Sequence, residues 1–171
     1  MVDTAATHKS AHQRKQNYQG VKLVCFRLHG QAYGIDIASV KETIALRPIT
    51  RVFLTPPWLA GIINLRGDIV AVLDLANFCD LSPTDITEQS RIIIMQHQQH
   101  VAGIVVDELA ELRVLDTALL EPPPATIGGE AASILAGVLT LEGESDAALR
   151  VIDIPSVFES ERLRAFQRGE S

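Results

Sequence analysis

The sequence predicts a mainly β protein made of small β-barrels or a β-sandwich. Short apolar runs rich in Val and Ile recur between turn signals, and few segments have helical spacing. Apolar residues make up 47% of the 171 positions, which is enough to bury a core. No apolar run reaches the roughly 18–20 residues that a membrane-spanning helix needs.

The first ordered elements are expected from Val21 onward, after a polar, aperiodic tail. "VKLVCFRLHG" (21–30) predicts a strand and a turn, and "QAYGIDI" (31–37) predicts the returning strand. "IASVKETIA" (37–45) predicts a short early helix, because apolar residues and one lysine recur there at helical spacing. Pro48 limits this helix at its C-terminal end.

The second half of the chain predicts further strands and a C-terminal helix. "ANFCD" (76–80) predicts a helical turn, and "EPPPATIGGEAAS" (121–133) predicts a loop, since its prolines and glycines suit neither helix nor sheet. Apolar residues between Pro155 and Gly169 predict the C-terminal helix. The expected strands are "RIIIMQ", "HVAGIVVDEL", "LRVL", "ILAGVLTLEG" and "AALRVIDI".

A weak internal repeat favours two barrels over one. "GIINLRG" (61–67) and "GVLTLEG" (137–143) share Gly, Leu and Gly at the same offsets, and each precedes a strand ending in an apolar-Asp-apolar triplet. A period of this length suits two similar halves rather than a solenoid. The alternative interpretation is that two hairpins resemble each other by chance.

Asn64-Leu65-Arg66-Gly67 predicts a tight hairpin connection. Asn at the first position and Gly at the fourth are typical of a type I turn followed by a left-handed glycine. This turn places Leu65 and Arg66 at the exposed tip, where an apolar side chain beside a guanidinium suggests a contact for a partner protein. The alternative is that Leu65 folds back onto its own barrel and Arg66 is solvated.

Composition and motifs argue against catalysis, metals and nucleic acid. The net charge of −6 and few aromatic residues disfavour nucleic-acid binding, which leaves a small-barrel nucleic-acid-binding protein as a distant alternative. The chain lacks nucleotide-binding and serine-hydrolase motifs, so we expect no enzyme activity, cofactor or catalytic residue. His97 and His100 flank an expected turn and should be solvated rather than bind metal. Cys25 and Cys79 are expected to be buried free thiols.

Four segments together resemble the CheW family of chemotaxis coupling proteins. They are "YGIDIASVKE" (33–42), "TRVFLTPPWLAG" (50–61), "GIINLRGDIVAVLDL" (61–75) and "VAGIVVDELAEL" (101–112), in the family order and spacing. The resemblance implies two five-stranded barrels of the Src-homology-three type, packed side by side. It also implies a CheW-like domain over residues 20–158, preceded by a flexible tail (1–19) and followed by a C-terminal helix or tail (159–171).

The resemblance further implies a non-catalytic adaptor of bacterial chemotaxis. Such proteins bridge the cytoplasmic tip of methyl-accepting chemoreceptors and the regulatory domain of a CheA-type histidine kinase, in the cytoplasm at membrane-associated receptor arrays. The alternative is a same-fold adaptor in a chemotaxis-like pathway for pilus-based motility or another output. Kinase-facing residues are not assigned. Receptor-facing positions carried over from the family are Val40, Glu42, Gly61, Asn64, Leu65, Arg66 and Gly67.

Overall fold

The structure is a computed structural model that describes residues 20–141, 143 and 148–169. The expected flexible tail at residues 1–19 lies outside the described residues, as do residues 142, 144–147, 170 and 171. Within the described part, the strands are β1 (Val21–Leu28), β2 (Gln31–Asp36), β3 (Val40–Ala45), β4 (Leu59–Leu65), β5 (Asp68–Asp74), β6 (Arg91–His97), β7 (His100–Val106), β8 (Glu108–Leu115), β9 (Leu135–Thr140) and β10 (Ala148–Ile152).

The strands form two five-stranded sheets, which confirms the mainly β prediction. Sheet A has the order β8-β1-β2-β10-β9, and sheet B has the order β3-β6-β7-β5-β4. An antiparallel bridge between Thr50 and Ile62 brings the segment after β3 to the opposite edge strand, β4. The bridge between Glu121 and Val138 does the same between β8 and β9. Each sheet therefore curls towards closure as a small barrel, here called barrel A and barrel B.

The two barrels are built on one plan, so the internal repeat is structural. In each, one central pair of strands is parallel: β2 with β10 in barrel A, and β7 with β5 in barrel B. The strand after the repeated hairpin ends in an aspartate that caps a helix: Asp74 accepts from the amide of Asn77, and Asp153 from that of Ser156. Barrel B is one continuous segment, and barrel A is assembled from the segments before and after it.

The helices are short and lie around the barrels. They are α1 (Leu75–Phe78), α2 (Gly129–Ile134), α3 (Ile154–Phe158) and α4 (Glu161–Gln167), with 3₁₀ turns at Ile37–Ser39 and Thr117–Leu119. The helical turn expected at 76–80 is confirmed by α1. The loop expected over 121–133 is wrong in its last part, which forms α2. The C-terminal helix is interrupted at Ser160, whose hydroxyl accepts from the amide of Leu163 and starts α4.

The early helix predicted over 37–45 is wrong. Asp36 caps a single 3₁₀ turn by accepting from the amide of Ala38, and the chain then enters strand β3. Burial along β3 alternates, with Val40, Glu42 and Ile44 turned inwards. The alternation of apolar and polar residues that is typical of a strand is broken in this segment, because Glu42, a carboxylate, occupies the covered face. The sequence pattern therefore did not indicate a strand.

Three apolar clusters hold the fold together. One fills barrel A, around Leu23, Cys25 and Leu149, and one fills barrel B, around Ile63, Leu65 and Val72. The third and largest joins the barrels and includes side chains from both sheets and from the helices α1, α2 and α3. Because buried apolar area is the main source of stability, this shared cluster fixes the two barrels side by side.

Candidate partner-binding site

The hairpin between β4 and β5 is tighter than the sequence predicted. Leu65 pairs with Asp68, so only Arg66 and Gly67 form the loop. Both have positive φ, 52° and 92°, which is a type I′ turn rather than the predicted type I turn with a left-handed glycine. Asn64 secures the turn by accepting a hydrogen bond from the amide of Gly67 at 2.8 Å. Arg66 is thus a non-glycine residue held in the left-handed region at the tip.

The prediction that Leu65 is exposed at the tip is wrong. Its side chain is only 6% exposed and packs in the interior of barrel B with Ile63 and Val70. In the two-residue hairpin Leu65 is the last strand position, and its side chain follows the inward alternation of β4. The alternative in which Leu65 folds back onto its own barrel is therefore the correct one for this side chain.

Arg66 is exposed, and it forms a bidentate ion pair with Glu42. Its side chain is 70% exposed, and its two terminal nitrogens donate to Glu42 Oε1 at 2.5 Å and Oε2 at 2.7 Å. The hydrogen bonds from Arg66 lower the pKa of Glu42, and those same bonds raise the pKa of Arg66. The planar guanidinium matches a carboxylate in this geometry, so the pair orients Arg66 across the end of barrel B. Glu42, and not the neighbouring Asp68, is the partner of Arg66.

Gly61 is required by its own chain. A Cβ at this position would lie 2.2 Å from the carbonyl oxygen of Thr50, the residue that bridges to Ile62. Gly61 is a receptor-facing position in the family resemblance, but the backbone that lies against it in this structure is that of Thr50 of the same chain. Gly61 instead lets the segment after β3 lie against β4 and curl the sheet.

Val40 lies at the start of β3 instead of on a helix. It pairs with Met95 of β6 and is partly buried against the cluster between the barrels. Asn64 is exposed, and its carbonyl oxygen accepts a hydrogen bond from Arg47 at 3.0 Å. Arg47 was not among the residues predicted for the site. Its signal in the sequence is that residues 43–67 contain three arginines and no acidic residue.

Ile69 is the second residue that the sequence analysis missed. It pairs with Asn64 across the hairpin and is 65% exposed. Ile69 shares one face of β5 with Ala71 and Leu73, both of which are covered in the structure. Near the hairpin, barrel A no longer covers that face of β5, and Ile69 is therefore exposed. Ile69 supplies the exposed apolar side chain that was expected of Leu65.

The structure therefore brings most of the predicted residues together at one end of barrel B. Glu42, Asn64, Arg66 and Gly67 lie at the surface, and Arg47 and Ile69 join them. Leu65 and Gly61 lie beneath this surface and position it. The surface, here called the hairpin surface, combines an ion pair that can exchange partners, one exposed apolar side chain and polar backbone groups. Such a mixture is typical of protein–protein contacts.

The other candidate groups have structural roles. Asp74 is buried and accepts hydrogen bonds from the amide and hydroxyl of Thr84, both at 2.9 Å. His100 is exposed as expected, but the expectation is wrong for His97, which is half-buried with its Nε2 3.5 Å from Glu159 Oε1. No cluster of three or more metal-ligating side chains occurs among the residues that the structure describes. In the same part of the chain, no helix is long and apolar enough to cross a membrane.

Both cysteines are free, as expected. Cys25 is buried inside barrel A, and Cys79 is partly buried at the end of α1. Burial raises the pKa of the Cys25 thiol, and burial also raises that of Cys79 to about 12. A thiol with so high a pKa is protonated at neutral pH and is a poor nucleophile or metal ligand.

Comparisons with known proteins agree on one family. The model of the CheW-like domain matches residues 22–162. The crystal structure of the scaffolding protein TtCheW from Thermoanaerobacter tengcongensis superposes with a TM-score of 0.73 at 32% identity, covering 84% of this chain and 90% of that one. The chemotaxis protein CheW of Klebsiella aerogenes is 31% identical over 84% of this chain and 85% of its own length. Protein FrzA of Myxococcus xanthus is 30% identical over 86% of this chain and 91% of its own length. The chain belongs to the CheW-like domain family.

Proposed function

We propose that this chain, as a chemotaxis adaptor of the CheW-like family, couples the cytoplasmic tip of a methyl-accepting chemoreceptor to the regulatory domain of a CheA-type histidine kinase. The scaffolding name of the solved relative and the chemotaxis names of other relatives support this role. The role needs no catalytic chemistry, and we propose that the chain has none. It acts in the cytoplasm, where the receptor tips lie.

The observation that carries the receptor contact is the ion pair at the hairpin surface. Arg66 is oriented by Glu42, yet most of its side chain is accessible. A carboxylate or carbonyl of the receptor can therefore share or replace Glu42 as its partner. Ile69 supplies apolar area beside the charge, and Asn64 supplies a polar group opposite Ile69 in the register. Leu65 and Gly61 support this surface from within barrel B, and Val40 supports the start of β3 against the cluster between the barrels.

The experiment measures binding of a purified receptor cytoplasmic fragment to the full chain. Arg66→Ala and Ile69→Ser should each weaken binding at least tenfold, which corresponds to about 1.4 kcal/mol, with nearly unchanged melting temperatures. Arg164→Ala removes an exposed arginine from α4, on another part of the molecule, and is the matched control. Equal binding by the Arg66→Ala and Arg164→Ala variants would refute the receptor contact proposed at the hairpin surface.

The output of the pathway is a separate question. Protein FrzA, at 30% identity, is not named as a chemotaxis protein. This relative supports the alternative of a chemotaxis-like pathway with another output, such as pilus-based motility. Receptor and kinase genes adjacent to the gene for this chain would identify the pathway. Swimming and surface-motility assays of a deletion strain then distinguish the two outputs, because only one should fail.

A further inference from the structure

A cavity of about 300 Å³ lies between the sheet of barrel A and the segment that leads into α2. Its lining comes from strands β2 and β10, from the chain just after α1, and from positions between Thr126 and Leu135. A volume of this size is at the lower end of the range for sites that hold small molecules. No residue of the hairpin surface lines the cavity, so the cavity is separate from the proposed receptor contact.

Much of the cavity lining is apolar and uncharged. Tyr33 and Ile134 are buried members of the cluster that joins the barrels, and Leu135 and Cys79 pack against that cluster. Burial raises the pKa of Tyr33, and it raises the pKa of Cys79 to about 12. Both side chains are therefore neutral near pH 7. A molecule that enters this cavity can bury an apolar body against them.

Arg150 places a charge on this apolar face. Leu149 and Val151, its neighbours in β10, fill the interior of barrel A, whereas Ile152 belongs to the cluster between the barrels. Because side chains alternate along a strand, Arg150 shares the face of Ile152. Its register partner across the sheet is Tyr33, and the guanidinium carbon lies 5.7 Å from the centroid of the Tyr33 ring. This cation–π contact holds the guanidinium at the cavity.

The Arg150 guanidinium keeps its hydrogen-bond donors available. Within the part of the chain that the structure describes, no acceptor receives a hydrogen bond from Arg150. The other described arginines either donate to protein acceptors or, like Arg51 and Arg164, are exposed. Arg150 is partly buried. A guanidinium carries five N–H donors in a planar fork, so Arg150 can bind an anion that enters the cavity.

The nearby acidic groups are already paired. Asp80 and Glu130 are chain neighbours of residues that line the cavity. Arg162 of α4 donates to Asp80 at 2.7 Å and lies 3.9 Å from Glu130. Their repulsion of an anion is therefore reduced, whereas the charge of Arg150, which itself lines the cavity, attracts one.

We propose that this cavity binds a small aromatic carboxylate, with the carboxylate on Arg150 and the ring against Tyr33 and Ile134. A guanidinium matches a carboxylate through two parallel hydrogen bonds. A flat ring packs well on the aromatic and aliphatic side chains of the lining. Gln31 and Thr126 are exposed and supply polar groups where the cavity meets water. Because the ligand binds the folded chain, it should raise the melting temperature.

The test measures binding of cinnamate to the full chain by calorimetry, with the uncharged cinnamamide as the matched probe. Wild type should bind cinnamate with a Kd below about 1 mM, and cinnamamide more weakly. Arg150→Gln should weaken cinnamate binding roughly tenfold and leave cinnamamide binding within roughly twofold, because only the carboxylate pairs with the guanidinium. Ala131→Leu places a larger side chain in the cavity lining and should weaken binding of both probes.

Arg164→Gln changes an exposed arginine of α4 and is the matched control, which should bind both probes like wild type. Methyl NMR shifts of Ile127 and Ile134 on titration locate the probe, because both side chains line the cavity. Melting temperatures without probe check that each variant is folded. If Arg150→Gln fails to fold, Ala131→Leu and the comparison of cinnamate with cinnamamide in wild type decide the question.

Three results would overturn the inference. They are no cinnamate binding by wild type at about 10 mM, equal cinnamate binding by wild type and folded Arg150→Gln, and methyl shifts confined to another part of the molecule. Each of these results leaves receptor binding, and with it the proposed function, unaffected.

Discussion

Barrel A and barrel B share a strand order, a closing bridge and a capping aspartate, but they differ in what their loops expose. In barrel B, the hairpin presents Arg66 and the loop after β3 presents Phe53 and Leu54. The corresponding segment of barrel A, after β8, is instead a 3₁₀ turn followed by three prolines and helix α2. The common positions specify the barrel, and the positions that differ carry the exposed side chains, among them Arg66 of the proposed receptor contact.

The repeated hairpin illustrates this division residue by residue. Leu65 and Leu141 occupy equivalent positions, and each packs against the interior cluster of its own barrel. Gly67 and Gly143 both have positive φ, 92° and 77°, a conformation that glycine adopts without strain. The residue between them differs, Arg66 in one copy and Glu142 in the other. The leucine present in both copies therefore serves packing, whereas the arginine present in one copy is not required by the shared barrel plan.

Substitutions at the closing bridges should give the largest losses of stability and should distinguish the two barrels. Gly61→Ala places a Cβ 2.2 Å from the Thr50 oxygen, and Gly137→Ala places one 2.6 Å from the Glu121 oxygen. We expect losses of about 3 kcal/mol for Gly61→Ala and less for Gly137→Ala, because backbone atoms must move further in barrel B. Urea unfolding measures both. Gly128→Ala, with no neighbouring atom within 4 Å, is the control. A Gly61→Ala variant as stable as the control would contradict the close approach.

Truncation of Leu65 and truncation of Leu141 should lower the free energy of unfolding by smaller amounts, which again differ between the barrels. Leu65→Ala removes a nearly fully buried side chain and should lower the free energy of unfolding by about 2–3 kcal/mol. Leu141→Ala removes a partly buried one and should cost about 1 kcal/mol. Chemical denaturation of the two variants side by side provides the comparison. If Leu65→Ala proved neutral for stability and harmful only for receptor binding, Leu65 would be a contact residue after all.

The smallest effect is expected from the ion pair between Arg66 and Glu42 at the hairpin of barrel B. The folded-state pKa of Glu42 lies below its ordinary value, so the pair is complete above the unfolded-state pKa and is lost as pH falls through the folded-state value. The pair lies at the surface and most of the Arg66 side chain is open to water, so thermal unfolding should barely register the loss. Carboxyl-selective NMR titration should show a low midpoint for Glu42, which returns to the usual range in Arg66→Ala. An unshifted midpoint in the wild-type chain would show that the pair does not persist in solution.

Much of this architecture could be predicted from local patterns, because hairpins with apolar strands and glycine turns are specified by nearby residues. The β4–β5 hairpin, α1 and the twofold repeat are examples. The pattern failed where a distant residue decided the outcome. Glu42 lies on the more covered face of β3, where its carboxylate pairs with Arg66, 24 residues later. A charged residue on that face concealed the strand pattern, and the segment was therefore predicted as a helix.

The candidate site shows the same limit. The residues of the hairpin surface were mostly named from the family resemblance, and the structure brings Glu42, Asn64, Arg66 and Gly67 together at one end of barrel B. Their individual exposures were not predictable from the turn alone, because one residue of loop length decides which side of the strand Leu65 occupies. Ile69 was missed because its exposure depends on where the second barrel stops covering β5.

The insertion of barrel B between the two parts of barrel A has a consequence for how the chain is made. Strands β3 to β7 leave the ribosome consecutively, so barrel B can close while translation continues. The hairpin of β1 and β2 must wait for β8, β9 and β10. At about 5–20 residues per second this delay is on the order of 10 s. During that time Phe26 and Ile35 lack the partners from β10 and the last helices that cover them in the folded chain.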